Sequence, residues 1–350
     1  MSESTPIATT ALELEATGPA TLAKVMADVE VRAARGESVR LRALPTGFQP
    51  LDEVLNGGVR PGELLVLGGP FGVGKTIWGL QAARNAVVDN PDATAVYICY
   101  EHSREHLLLR LLCLESAAQA GAEQPLTLRD LDRLESGAGS GVGLVSRLRQ
   151  VSRFAPLLDR IESYAGRLVL VKASGDLSTI AEVRRWVKEV ADAGPQQQVL
   201  VVVDYLQKIP VDWGELQPET ESTTFLTHGL KEMAMSLGVR VIAIAASDRT
   251  GLKSRRMRLS DLRGSSAVQY EADVGLILNN KWAIISREHL VYNPNQAEAM
   301  RNYVVLSVEK NRAGRNTVDM EFALDAAHFR IVPRGDFVRE RLVDEKVILA

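Results

Sequence analysis

Residues Gly69, Pro70, Phe71, Gly72, Val73, Gly74, Lys75 and Thr76 spell the pattern G-x-x-x-x-G-K-[ST]. The apolar run Leu64, Leu65, Val66, Leu67 precedes it, and helix-compatible residues 77–84 follow. Strand, glycine turn and helix in that order is the context in which the pattern means a phosphate-binding loop, a chance glycine-rich turn being the alternative. The glycines let successive backbone N–H groups turn inward on phosphate oxygens, and the helix starting near Lys75 adds the positive end of its dipole. In such a loop Lys75 reaches the β- and γ-phosphates and the Thr76 hydroxyl takes a place on magnesium. ATP and magnesium are therefore the expected cofactors.

Apolar runs recur after that loop. Residues 95–100, 168–171, 199–204 and 239–245 read as strands. Between them lie segments with helical spacing: one after Glu101, one over 151–161, one over 179–193 with Ser178 or Thr179 as cap, and one over about 223–237. Such alternation is what an α/β fold with a central, mostly parallel sheet flanked by helices requires, a RecA-like P-loop ATPase or a related doubly wound one. Strands over 274–278, 303–308 and 317–322 follow, with a polar turn at 310–316. The expected division is a disordered tail at 1–17, a linker-like amphipathic helix and connection at 18–43, the ATPase domain at 44–332 and a charged C-terminal tail at 333–350 carrying one short helix. Gly137 to Gly143 reads as a flexible loop.

Phosphoryl transfer to water also needs a carboxylate in the magnesium shell and a second one to position the water. Asp204 ends an unbroken apolar run, and so reaches the carboxyl end of a central strand, where open α/β sheets gather their ligands. It is the candidate metal ligand beside Thr76. Glu101 ends another run and fits the water-positioning role, with a helix-capping glutamate as the alternative. His102 beside it reads as a surface histidine.

Arg249, Lys253, Arg255, Arg256, Arg258 and Arg263 form a basic loop between two core elements. Within it Lys253, Arg255, Arg256 and Arg258 are candidate nucleic-acid contacts, supplying affinity without base readout, against the alternative of a solvated or ion-paired surface. A second loop with Asp212, Glu215, Glu219 and Glu221 is acidic. Lys and Arg total 41 against 44 Asp and Glu, a net charge of -3, so no global basic field favours nucleic acid. Cys99 and Cys113 are too few for a disulfide framework and lie in apolar surroundings, which suits a reducing cytosol. No run approaches the roughly 20 apolar residues that span a bilayer, and nothing marks secretion, so a cytoplasmic protein without a membrane partner is expected.

Over roughly residues 21–332 these motifs resemble, in family order, the C-terminal ATPase domain of the DnaB-type replicative helicases. Residues 44–48 with Leu51 and Asp52 look like the family's entry into the domain, and 69–76 like its phosphate loop. Tyr100 and Glu101 look like the strand end bearing the catalytic glutamate, and 201–207 like the magnesium-site strand. Residues 259–264 resemble the run after the second central loop. Residues 309–314 resemble the segment whose Lys310 and Arg312 reach the γ-phosphate in the neighbouring subunit. The helix around Leu22 to Val31 is similar to a linker helix that docks on an adjacent subunit. The resemblance implies magnesium-dependent ATP hydrolysis by a ring of six subunits, with Lys310 and Arg312 catalytic in trans and single-stranded DNA escorted by channel loops.

Three departures bear on the DNA step. The family's N-terminal helical domain has no counterpart in the first 20 residues. Ala246 stands where the family has a Gln that couples γ-phosphate to the channel loops, a bond a methyl group cannot make, unless Ser247 or Asp248 substitutes. Residues 219–224 replace an Arg- and Glu-containing run, so one channel loop loses positive charge. These departures set beside the helicase reading an alternative, a specialised RecA-like ATPase or scaffold acting on a protein partner. A KaiC-like signalling ATPase fits less well, because that family pairs two acidic residues where this chain has Glu101 and His102.

Overall fold

The apolar runs become strands because side chains on both of their faces find cover. The computed structural model describes residues 18–36, 41–119, 124–136, 141–194, 197–211, 219–247, 255–285 and 299–343. Six strands run parallel: β1 (Leu64–Gly68), β2 (Ala93–Cys99), β3 (Leu168–Lys172), β4 (Gln198–Asp204), β5 (Arg240–Ile244) and β6 (Val274–Asn280). The chain then turns antiparallel through β7 (Tyr303–Asn311), β8 (Val318–Asp325), β9 (Arg330–Ile331) and β10 (Asp336–Phe337). They form a ten-stranded sheet in the order β10-β8-β7-β6-β1-β5-β4-β2-β3, with β9 paired to β8. Every residue of β1, β2, β4 and β5 is buried.

The helices are α1 (Leu22–Ala34), α2 (Leu51–Val54), α3 (Lys75–Asp89), α4 (Arg104–Ala118), α5 (Leu128–Ser136), α6 (Leu144–Gln150), α7 (Ala155–Ala165), α8 (Ile180–Ala193), α9 (Glu219–Leu237), α10 (Ser265–Glu271) and α11 (Lys281–Ile284). Strand side chains alternate between two cores, as a period of two requires. Leu65, Leu67, Tyr97 and Val202 join Phe48, Trp78 and other residues of α3 on one face, while Leu64, Val66, Val201 and Val203 join α8 and α9 on the other. Phe48 stacks on Trp78 at 5.3 Å between ring centroids. A satellite core under α4 to α7 holds Leu112, Leu131, Leu148 and Leu157.

Three expectations change. The helix read from Val151 begins as a short 3-10 turn and becomes α7 only at Ala155, because Pro156 lacks an N–H and belongs in a first turn. The polar turn expected at 310–316 is shorter, since β7 continues to Asn311 and pairs Gly275 with Lys310. Residues 336–337 of the expected tail form a strand on the edge of β8 rather than a helix, and the Lys281 ammonium holds Glu340 at 2.9 Å further along. An uncovered sheet edge is a pairing template, and this segment covers part of it. The tail at 1–17, most of the flexible loop at 137–143 and residues 344–350 lie outside the described residues. Among the described residues no helix is long and apolar enough to cross a membrane.

Candidate active site

The phosphate loop leaves the carboxyl end of β1 and is shaped by backbone conformations that favour glycine. Gly72 has φ +72° and Gly74, which caps α3, has φ +104°. A Cβ on Gly69 would sit 2.3 Å from the Leu278 carbonyl oxygen, so the loop is pressed against β6. In helix α3, a Cβ on Gly79 would come within 2.8 Å of Ile244; the missing side chain lets the helix lie close on the sheet. That close approach carries Lys75 and Thr76 over the strand ends.

Lys75 folds its ammonium back on the Gly69 and Pro70 carbonyls at 2.7 and 2.8 Å. Burial pushes its pKa down to about 8, with the charges of Asp204 and Glu101 resisting the shift. Phe71 is exposed at the loop's tip and Val73 is buried beneath it. Asp204, 1% exposed, is the register neighbour of Cys99, and Glu101 follows Cys99 by two residues. Burial raises the Asp204 carboxyl above the ordinary range, opposed by hydrogen bonds from the Tyr97 and Thr76 hydroxyls. Glu101 is exposed, within electrostatic reach of both Lys75 and Asp204. A threonine hydroxyl beside a carboxylate is an all-oxygen donor set, which suits a hard cation such as magnesium, and the loop before them presents N–H groups to phosphate. The residues therefore fit both groups.

Lys310 and Arg312 are not brought to this cluster. β7 runs antiparallel to β6, so Arg312 falls at the amino end of β1, opposite the phosphate loop, and Lys310, level with Val66, sends its ammonium to α10 at that same end. There Lys310 donates to the Gln269 and Tyr270 carbonyls, and Arg312 pairs with Asp273 at 3.2 Å while its side chain stays 52% exposed. Asp273 also accepts from the Leu64 amide at 2.8 Å and from Lys231 at 2.7 Å.

Of the expected nucleic-acid contacts, Arg256 needs correction and Arg258 is engaged within the chain. Arg256 is 6% exposed and binds Asp319, itself partly exposed, at 2.6 Å and Ser307 at 3.2 Å, so its guanidinium is engaged within the chain. Arg258 pairs with Glu309 at 3.1 Å. Arg255 is exposed and caps the Ala283 and Ile285 carbonyls at 3.2 and 3.4 Å. Lys253, Arg249, Asp212, Glu215 and Asp248 lie outside the described residues.

Two side chains, Tyr97 and Arg110, escape the motif reading. Tyr97 donates to Asp204 Oδ2 at 2.7 Å. Arg110, the one cation in the run Leu107 to Leu112, donates to Nε2 of His106 and meets Nε2 of His102, each at 3.0 Å, and lies 4.9 Å over the Phe329 ring; a lone arginine in an apolar run was the signal. His102 is thus half-buried rather than a surface histidine. Gln207 accepts from the Ala246 amide at 2.9 Å. A glutamine amide therefore does reach this strand end, supplied from the β4 side. Ser247 is buried, and its hydroxyl has no partner among the described residues.

A glycine loop on β1, a hydroxyl beside it, a strand-end aspartate on β4 and a glutamate after β2 define a RecA-like ATPase domain. The profile of the family described as "DnaB-like helicase C terminal domain" matches residues 43–331, and this chain belongs to that family. The replicative DNA helicase DnaB of Leifsonia xyli subsp. xyli is 27% identical over 317 residues, covering 89% of this chain and 60% of the relative. That of Geobacillus stearothermophilus is 26% identical, covering 81% of this chain and 55% of its own length. The chain thus spans little more than half of these relatives. Among solved structures, one described as an ATPase domain superposes with a TM-score of 0.68 at 18% identity, over 90% of this chain and 99% of that one. A DnaB-like replicative helicase, described with its interactions with primase, gives 0.65 at 17% identity over 90% and 67%. These likenesses carry the fold.

Proposed function

We propose that this chain is a magnesium-dependent ATPase whose sites are completed between subunits of a ring, six in the family's pattern, with at most weak coupling to single-stranded DNA. The observation that carries the reading is the convergence of Lys75, Thr76, Asp204 and Glu101 at the carboxyl ends of β1, β4 and β2. Bound magnesium supplies charge neutralisation at the phosphates. Lys75 and the loop N–H groups hold the nucleotide, Thr76 and Asp204 hold the metal, and Glu101 orients the attacking water. Lys310 and Arg312 face away from their own phosphate loop, which supports their acting on a neighbour's. Steady-state phosphate release is the test. Lys75→Ala should fall to background, and Glu101→Gln should keep nucleotide while losing roughly a hundredfold or more in turnover. Wild-type turnover no higher than that of Lys75→Ala would overturn the reading.

The relatives are replicative DNA helicases, and one observation on this chain favours the protein-directed alternative. Arg256 and Arg258 are spent on Asp319 and Glu309, so phosphate contact falls to Lys253 and Arg255. ATP turnover with and without saturating single-stranded DNA at low salt separates the two readings. Large stimulation, lost on Lys253→Ala with Arg255→Ala, favours a DNA motor; no binding leaves an ATPase directed at a protein.

A further inference from the structure

We propose that Tyr97 is a positioning residue for the metal-site carboxylate, its phenol clamping one oxygen of Asp204 so that the other partners of that carboxylate are met in a fixed geometry. The inference rests on the ATPase reading above. Tyr97 lies in β2 with no exposed surface, and its register partner on β4 is Val202, two residues before Asp204. The ring belongs to the core beneath α3, a place that an apolar side chain of the same shape fills equally well. Packing therefore does not account for the hydroxyl. That hydroxyl donates to Oδ2 of Asp204 at 2.7 Å, a well-formed hydrogen bond between two groups that are each almost wholly buried.

The last torsion of an aspartate is broad and roughly two-fold, so position on a strand fixes the Cβ and leaves the carboxylate plane soft. Asp204 accepts from the Tyr97 hydroxyl of β2, and the Thr76 hydroxyl of α3 lies close enough to favour its charged form. Thr76 is also the residue read as a metal ligand, so its hydroxyl serves two partners. Tyr97 has no such second duty: the rigid β2 to β4 pairing holds it, and it keeps the plane from turning when Thr76 is engaged. Arranging the carboxylate before the metal arrives removes an ordering cost from binding. A sequence reading passes over Tyr97 because it lies four residues before Glu101 in an apolar run, outside every motif.

Manganese is the probe, its free ion counted by electron paramagnetic resonance during titration of the full chain with ADP present. Tyr97→Phe should weaken manganese binding about fivefold, the ordering cost of one side chain, while ADP affinity in chelator stays unchanged. In an Asp204→Asn background the same change should have no further effect on manganese, since the cycle isolates the pair. Manganese affinity within about twofold of wild type, a parallel loss of metal-free ADP affinity, or an equal effect in the Asp204→Asn background would each overturn the proposal. Wild-type protein that binds ADP with no saturable manganese would sink the metal-dependent ATPase reading itself, an outcome distinct from a failure of Tyr97.

Discussion

His102, just ahead of α4 and its cap Ser103, and His106, in the first turn, both set Nε2 against the Arg110 guanidinium. Neutral imidazoles can accept there; protonated ones cannot. Burial first, then the charges of Arg110, His106 and Lys172, push His102 down to about 4. The unfolded chain's histidine takes its proton near pH 6.5, so between about 6.5 and 4 the unfolded state binds more protons and stability is lost as pH falls. His102→Gln, whose amide oxygen still accepts from Arg110, should lose less thermal stability than wild type between about pH 7 and 5; superimposable calorimetric profiles would count against this. Asp52 shows the opposite use of a carboxylate. It is buried and accepts from the Thr46 amide and hydroxyl at 2.8 and 2.7 Å and the Gly47 amide at 2.9 Å, so it builds the entry turn rather than performing chemistry. Asp52→Asn sets an NH2 against one of these donors and should cost about 1–3 kcal/mol in urea unfolding.

At the scale of elements, the central strands were legible because burial on both faces demands unbroken apolar runs, and β1, β2, β4 and β5 fall within a residue or two of where those runs lie. The places of the glycine loop, Asp204 and Glu101 were legible for the same reason: each sits where such a run ends. What stayed hidden depends on partners distant in the chain. Arg256 looked free for phosphate because Asp319, which neutralises it, lies 63 residues away on β8. β10 is too short for periodicity to register and exists through its pairing. Glu115 likewise gave no signal, yet it joins three helices: Arg84 of α3 grips both its oxygens at 2.6 Å, and Tyr164 of α7 donates at 2.9 Å. Glu115→Ala strands a buried guanidinium and should cost roughly 3–5 kcal/mol, whereas Arg84→Met with Glu115→Leu should recover most of it. Denaturant midpoints check both, and a double variant no more stable than Glu115→Ala would refute the account.

At the scale of the molecule, two features of the single chain are unfinished. Helix α1 buries none of its residues, with Leu22 75% and Met26 63% exposed, although Thr21 caps it through a 3.3 Å bond from Lys24 N–H. An apolar stripe of that kind contributes about 25 cal/mol per Å² once covered, so removing residues 1–36 should weaken subunit association more than folding; an unchanged oligomer mass in sedimentation across dilutions would show otherwise. The second is the separation of Arg312 from its own phosphate loop, across the length of β1. An arginine supplied by a neighbour is worth roughly 10³–10⁵ in turnover, so Arg312→Ala and Glu101→Gln should each be nearly inactive alone. Single variants cannot distinguish a shared site from two local defects, but a mixture can. Where an Arg312→Ala subunit presents its intact Glu101 to the intact Arg312 of a Glu101→Gln neighbour, a complete site forms, and ATP turnover should rise well above either parent. Mixed assemblies verified by mass yet no more active than their parents would place Arg312 outside the shared site.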